Sequence, residues 1–408
     1  WRAASPHSEL SRRKRRGHRH IRGMLAQASS SAPRAALHQR RSHCPRTRAS
    51  ASAATAPSTA PAPVEGPSAW YGRDMPSEEW TRTLSASEAD ALTAAAVAVR
   101  GRDDLASISP QEARELLGPE LTEVAQMIRE ECASRGFVLV RGLEVDGRVE
   151  DACAAFYLLG HLLGDPVTQN ARGHLLGHVK DIGSDPTKPE TRIYQTSKAQ
   201  PYHTDSCDIV GLACLAPAKQ GGLSNVTSSA TVYNEVLKRR PDLIEVLEEP
   251  FFNDRKGEVP EGKEPWFEMP VFCRHAGELN SMHDRSFIDA AQARFPELPR
   301  LTPKQVEALD LVDSLASDPE IRLDMKLVPG DMQFIHNHQI FHARSEYTDF
   351  APGEGRQRHL LRLWLSLPDG RELPPVFAER YGEPIARGSV RGGIKVPGSK
   401  PCVPFEAA

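Results

Sequence analysis

Arg358-His359-Leu360-Leu361-Arg362-Leu363-Trp364-Leu365 reads as one uninterrupted β-strand with two unlike faces. Alternation sends His359, Leu361, Leu363 and Leu365 to one side and Arg358, Leu360, Arg362 and Trp364 to the other. Two arginines on one face of a mostly apolar strand are costly unless an anion meets them. A dicarboxylate would supply that anion through bidentate pairing. Upstream, short apolar runs at 209–215, 270–274, 321–328, 332–335 and 339–343 are separated by Gly, Pro and Asp, the pattern of many-stranded antiparallel structure. Helices are expected at 230–240, 287–294 and 302–315, the last opened by Thr302-Pro303-Lys304-Gln305. Before this region the chain reads as helical. Ser85 with Glu88 forms a capping box, Ser109-Pro110 starts a second helix, and 121–134 and 150–163 end at Gly136 and Gly164 around a strand at 137–140. The fold class expected is α+β: a β sandwich or barrel with helical insertions and a helical N-terminal flank.

The chain has 408 residues, enough for a substantial core, and lacks an apolar run near the ~20 residues of a membrane helix. Charge is unevenly distributed: residues 1–60 hold 13 Lys and Arg against the single acid Glu9, leaving 38 bases against 53 acids in the rest. An acidic body argues against nucleic acid as partner. The Arg- and Ser-rich, acid-poor leader resembles an organelle transit peptide, with Met24 as a candidate initiator, so a plastid or mitochondrial address is expected and a cytoplasmic one is the alternative. The domain boundaries expected are a leader over 1–66 and one domain over 67–408, with its β core at about 135–370 and a tail at 371–408. Seven scattered cysteines, none in a CxxC pair, fit reduced thiols.

His203-Thr204-Asp205 places an imidazole and a carboxylate on one side of an extended chain, where both can chelate one metal ion. Alone the pattern is weak, since His7-Ser8-Glu9 repeats it in the leader. The 330–344 segment strengthens it by offering His336, His338 or His342 as a third ligand on a strand, which would make a two-histidine, one-carboxylate set that leaves positions open on iron. His161, His174, His178 and His275 are read as ordinary surface or core histidines, and Cys207 and Cys214 as small buried hydrophobes.

Taken together, these residues resemble the iron(II)/2-oxoglutarate dioxygenases of the taurine dioxygenase (TauD/TfdA) and clavaminate-synthase-like type. Arg141-Gly142-Leu143, Gln169-Asn170, Tyr194-Gln195-Thr196, Tyr202 to Asp205, Gly221-Gly222-Leu223-Ser224 and Gly330-Asp331 carry the likeness, with the 358–366 strand. The resemblance implies a double-stranded β-helix, a jelly-roll core of cupin-like type. It implies that Fe(II) is held by His203, Asp205 and His342, the catalytic centre, and that the cosubstrate 2-oxoglutarate is held by Arg358 with the help of Ser224. Arg362 would meet the cosubstrate or an acidic substrate. Two departures stand out: Ser224 replaces the commoner Thr, and the loop from His342 to Arg358 is long. The implied activity is oxidation of an unactivated C–H bond of a small organic metabolite by O2, as hydroxylation, desaturation or cyclisation, with release of succinate and CO2. The alternatives are a metal enzyme on the same fold that does not use 2-oxoglutarate, or a binding protein with a lapsed site. Tyr202, Asn170, Gln195 and Arg192 are the substrate-pocket candidates on position alone, and a homo-oligomer is compatible with the reading.

Overall fold

A computed structural model of the chain describes residues 61–102, 104–185, 191–351 and 353–407. Nearly all of the expected leader lies outside these residues. Nine strands build the centre: β1 (Phe137–Arg141), β2 (Leu176–Val179), β3 (Gln200–His203), β4 (Ile209–Ala216), β5 (Ser224–Ser228), β6 (Leu323–Met325), β7 (Asp331–His336), β8 (Ile340–Arg344) and β9 (His359–Ser366). In the larger, seven-stranded sheet, β1, β7, β4, β9 and β2 are neighbours in that order, all antiparallel. The smaller sheet runs β6, β5, β8, β3, again antiparallel. This is the jelly-roll core, and the expected fold class holds.

Strand alternation explains how the layers assemble. Leu361, Leu363 and Leu365 of β9 join a hydrophobic core with Phe156, Leu159 and Leu163 of the Val149–Leu163 helix, so that helix covers the outer face of the large sheet. On the opposite face, Leu360 joins Phe137, Leu139, Val226, Ile335 and Ile340 between the sheets. A third core packs Phe341 against Val236 of the Ser229–Arg239 helix and Val312 of the Pro303–Ala316 helix, covering the small sheet. Both capping boxes form, Ser85 with Glu88 and Thr302 with Gln305. The helix begun at Pro110 runs to Ser134 but breaks at Gly118, whose φ of 74° lies outside the helical region. Of the 321–328 run only Leu323–Met325 is a strand, because Asp331 and the Gly330 turn take over the backbone bonds beyond it.

Both ends of the described chain are tied to the body. The body begins before residue 67: the backbone of Val64 bonds the Asn234 side chain twice, at 2.8 Å each. At the other end, the tail expected over 371–408 is fastened by a buried ion pair. Arg391, 1% exposed, sets its Nε and an Nη against Asp208, 1% exposed, at 2.9–3.1 Å. Asp208 also accepts from Leu367 N and contacts His338 Nε2 at 3.0 Å. Burial pushes the Asp208 carboxyl up, but His338 and Arg391 outweigh it and hold it below its ordinary value. Arg391→Met should cost about 3 kcal/mol of unfolding free energy, the lower end of the range for breaking a buried pair, because two partners of Asp208 remain. Urea denaturation reads this directly, and a loss under 1 kcal/mol would show that the tail is dispensable.

His161 offers a pH test. Both ring nitrogens are buried without a partner, beside the edge-on ring of Tyr157, and burial pulls its pKa down to about 4. The unfolded chain therefore binds the proton first, near pH 6.5, and stability falls as pH drops from there to about 4, by at most about 3 kcal/mol. His161→Phe should flatten the pH dependence of the melting temperature in that window.

Candidate active site

The register of β8 against β3 sets His342 directly opposite His203, although 139 residues separate them in sequence. Asp205 follows two residues after β3, and the three ligand atoms all lie within 4.8 Å of one another. Asp205 Oδ2 is 3.6 Å from His342 Nε2, and its Oδ1 is 3.9 Å from His203 Nε2. All three side chains are at least nine-tenths buried.

Each is oriented by a partner. His203 Nδ1 lies 2.9 Å from the carbonyl of Pro201, which fixes the proton there and leaves Nε2 as the free donor atom, now in contact with Gln200 Nε2 at 2.8 Å. Burial and the neighbouring His342 pull the His203 pKa down to about 4, so the ring is neutral, as a metal ligand must be. Asp205 accepts from Trp364 Nε1 at 2.9 Å, and its backbone N donates to Asn337 Oδ1 at 2.8 Å. Burial would raise its pKa, but Arg362 and His342 outweigh burial and keep the carboxyl ionised. Two imidazoles and one carboxylate gathered within 4.8 Å of one another suit a non-haem iron(II) ion.

His336 and His338 do not join the cluster. The chain turns at Asn337–Gln339, which breaks the alternation, and His338 goes to Asp208.

Beside the triad, a small cavity of about 40 Å³ is lined by Ser224, Arg344, Arg358, Arg362 and Leu360. Arg358 is 3% exposed, and one of its Nη atoms is buried without a partner. Its backbone N is held by Asp349 Oδ1 at 2.8 Å, and its guanidinium lies 5.1 Å from the ring centre of Tyr347, whose short strand Tyr347–Thr348 pairs with Gln220–Gly221. The long loop before Arg358 is thereby anchored. Gly222, at φ 68°, lets this arginine approach: a Cβ there would sit 3.0 Å from Arg358 Nε. Arg344 stacks on Tyr347 as well, at 5.0 Å, with Nε and one Nη buried and unpartnered. Burial and the nearby Arg358 pull its pKa down to about 10. Two buried guanidiniums with orphaned donors call for an anion, and a dicarboxylate fits. Ser224 Oγ donates to Gln333 Oε1 at 2.8 Å and lines the same cavity. Arg362 donates from Nε to Gln169 at 2.8 Å, with an Nη 3.8 Å from Asp205.

A larger cavity of about 220 Å³ borders His203 and Asp205 and shares Tyr194, Gln200 and Arg362 with the smaller one. Arg192 lines it, as expected, but three other substrate-pocket candidates do not. Tyr202 alternates away from His203 into the hydrophobic core of the small sheet. The Asn170 side chain bonds its own loop, at Arg172 N, and borders only a small separate cleft behind Arg362. Gln195 is outside the lining, where its neighbour Tyr194 is present instead. For Tyr202 the cause is its place beside His203 on a strand, where neighbours point apart; Gln195 ends a short 3-10 helix and Asn170 lies in a loop, where adjacency along the chain fixes no common direction. Gln200, Lys256, Trp364, Arg380 and Arg344 were missed. Trp364 could have been found from its place on the Arg358 face of β9; Lys256 sits in a turn and Arg380 in a four-residue helix, both too short to carry a periodic signal.

The model of the taurine catabolism dioxygenase TauD, TfdA family matches residues 105–364. The chain is 34% identical over 268 residues to the FR-33289 synthase of Streptomyces rubellomurinus, covering 64% of this chain and 77% of that protein. It is 31% identical over 309 residues to a taurine hydroxylase-like protein of Stachybotrys chartarum, covering 72% and 77%. Among solved structures it is similar in fold to an asparagine oxygenase in complex with Fe(II), hydroxyasparagine and succinate (TM-score 0.55, 20% identity, 70% of this chain and 93% of that one). A non-heme iron oxygenase in complex with Fe and alpha-ketoglutaric acid matches at TM-score 0.55 and 18% identity, over 70% and 94%.

Proposed function

The chain belongs to the taurine catabolism dioxygenase TauD, TfdA family, and on that premise we propose that His203, Asp205 and His342 hold the iron while Arg358, with Ser224, holds the distal carboxylate of the cosubstrate. The protein is an iron(II)- and 2-oxoglutarate-dependent oxygenase, an oxidoreductase acting on a small molecule with O2. The observation that carries the assignment of residues is a buried His-Asp-His cluster whose neighbouring cavity ends in an arginine with an orphaned donor. Arg344, beside Arg358 on Tyr347, adds a second positive charge to the same end.

Held by His203, Asp205 and His342, with 2-oxoglutarate on Arg358 and Ser224, iron(II) would supply the activation of O2 that couples conversion of the cosubstrate to succinate and CO2 with oxidation of a substrate C–H bond. The chain's own residues do the rest. Pro201 and Trp364 hold His203 and Asp205 in their ligating orientations, so little reorganisation is needed on binding. Leu360, Val210 and Val179 wall the cosubstrate cavity with apolar groups, which strengthens the arginine–carboxylate pairing by excluding water. Arg362, tied to Gln169 and close to Asp205, stands between the two cavities and can meet the near end of either ligand. Among the described residues no helix is long and apolar enough to cross a membrane.

Purified protein reconstituted with iron(II) should convert 2-oxoglutarate to succinate in the presence of O2, and metal-free protein should not. Absence of iron-dependent succinate across a panel of candidate substrates, with 2-oxoglutarate binding also absent, would overturn the assignment. The leader reading also stands as a proposal, supported by 13 bases against one acid in residues 1–60. A fluorescent fusion of residues 24–66 should enter a plastid or mitochondrion; cytosolic fluorescence would refute it.

A further inference from the structure

We propose that Arg192, Lys256 and Arg380 form a subsite, at the wall of the larger cavity, for a phosphoryl group on the substrate. The inference rests on reading that cavity as the substrate pocket. The three cations come from three separate segments: the loop before β3, the turn after the Phe251–Asp254 strand, and the short Ala378–Tyr381 helix of the C-terminal segment. They converge on one ring. Arg192 Cζ, Lys256 Nζ and Arg380 Cζ lie 5.5, 5.7 and 5.7 Å from the centre of Phe287. Arg380 also lies 5.1 Å from Phe267.

Charge decides what such a site takes. Arg192 is paired with Glu258 at 3.0 Å, whereas Arg380 and Lys256 form no ion pair among the described residues. Asp284 also faces the cavity, but one of its oxygens is committed to the backbone N and hydroxyl of Ser286. Arg380 is 7% exposed, and burial pulls its pKa down to about 10, with Arg192 and Arg255 acting in the same direction and the nearby Glu258, already paired with Arg192, against them. Asp254 and Asp284 likewise lie near Lys256, but neither cation has a direct carboxylate partner among the described residues; burying a cation so is expensive, and that cost is recovered when an anion binds. A phosphoryl group carries about −1.5 to −2 charge near neutral pH and presents three acceptor oxygens in a pyramid. That suits three donors arriving from three directions; a carboxylate offers two oxygens in one plane and a single charge. Position also fits. Arg380 Nε donates to Ser206 Oγ at 2.6 Å, one residue beyond the ligand Asp205, so a bound phosphoryl group would lie next to the metal site. Lys256, at φ 53° in the turn it shares with Gly257, lines the cavity wall.

The test is anaerobic calorimetry on the enzyme loaded first with iron(II) and then with 2-oxoglutarate. The probes are methylphosphonate, methyl phosphate, methanesulfonate and acetate. The two phosphoryl probes should bind at least tenfold more tightly than methanesulfonate or acetate, and their ratio tells a phosphonate from a phosphate ester as the preferred source. Lys256→Met and Arg380→Met should each weaken phosphoryl binding at least tenfold, while Lys238→Met, on an exposed helix end, should not. Arg380 also bonds Ser206, so if Arg380→Met fails to fold, Lys256→Met decides alone. Equal affinity for all four probes, or phosphoryl binding indifferent to Lys256→Met, would overturn the subsite. If 2-oxoglutarate itself fails to bind in the first titration, the cofactor assignment falls, and the subsite with it.

Discussion

His342→Ala should abolish iron(II) binding, and with it iron-dependent succinate formation, while His338→Ala retains both. The two histidines are four residues apart and both buried, His338 at 0% and His342 at 7% exposure, so the pair separates position from residue type. His342 Nε2 faces Asp205 Oδ2 at 3.6 Å and His203 across the β8–β3 register, whereas His338 Nε2 is spent on Asp208. Loss of an outer partner of a metal ligand typically costs about 10–100-fold in affinity, and removal of the ligand itself should exceed that range. His338→Ala should lower the melting temperature, because Asp208 loses a partner, but the folded fraction should bind iron as the parent does. Titration with iron(II) under anaerobic conditions distinguishes the cases. Equal loss of iron in both variants would mean that the cluster is not the metal site.

Arg358→Ala should weaken 2-oxoglutarate binding strongly without removing iron. Truncating one member of a buried, hydrogen-bonded charge pair costs roughly 2 to 5 kcal/mol, which is about 30-fold or more in affinity. Two features favour the larger end. The guanidinium is 3% exposed, so little water replaces it, and the lost group is the one whose orphaned donor marks the end of the cavity. Arg344→Ala is the informative companion, because Arg344 shares the Tyr347 ring but already gives one Nη to the carbonyl of Thr196 at 2.9 Å. It should weaken binding less than Arg358→Ala does. If Arg358→Ala leaves the 2-oxoglutarate affinity unchanged and Arg344→Ala removes it, the two roles are exchanged.

Much of this architecture is legible locally. The leucine and arginine faces of β9 follow from period-two alternation, and the structure puts Leu361, Leu363 and Leu365 against a helix and Arg358 and Arg362 in cavities. The helix starts at Ser85, Ser109 and Thr302 follow from side chains that satisfy backbone donors within one turn. His203 and Asp205 are close in space because they are close in sequence. Where the argument from nearness failed, it failed for a physical reason: Tyr202 is adjacent to His203 on an extended chain, and adjacency there means opposite faces.

By itself, then, the sequence determined which segments are strands or helices, which face of β9 is polar, and that one His-x-Asp chelate and two arginines are available. The residues alone left His336, His338 and His342 open and the resemblance pointed to His342; the tertiary structure supplied the reason, since the three differ in partner rather than in type. It alone brought Arg344 beside Arg358, Arg391 onto Asp208, and Lys256 and Arg380 around Phe287. The reason is that alternation and capping are energies of neighbours along the chain, while strand register and the burial of a charge depend on what distant segments place within a few ångströms of it in a medium without water.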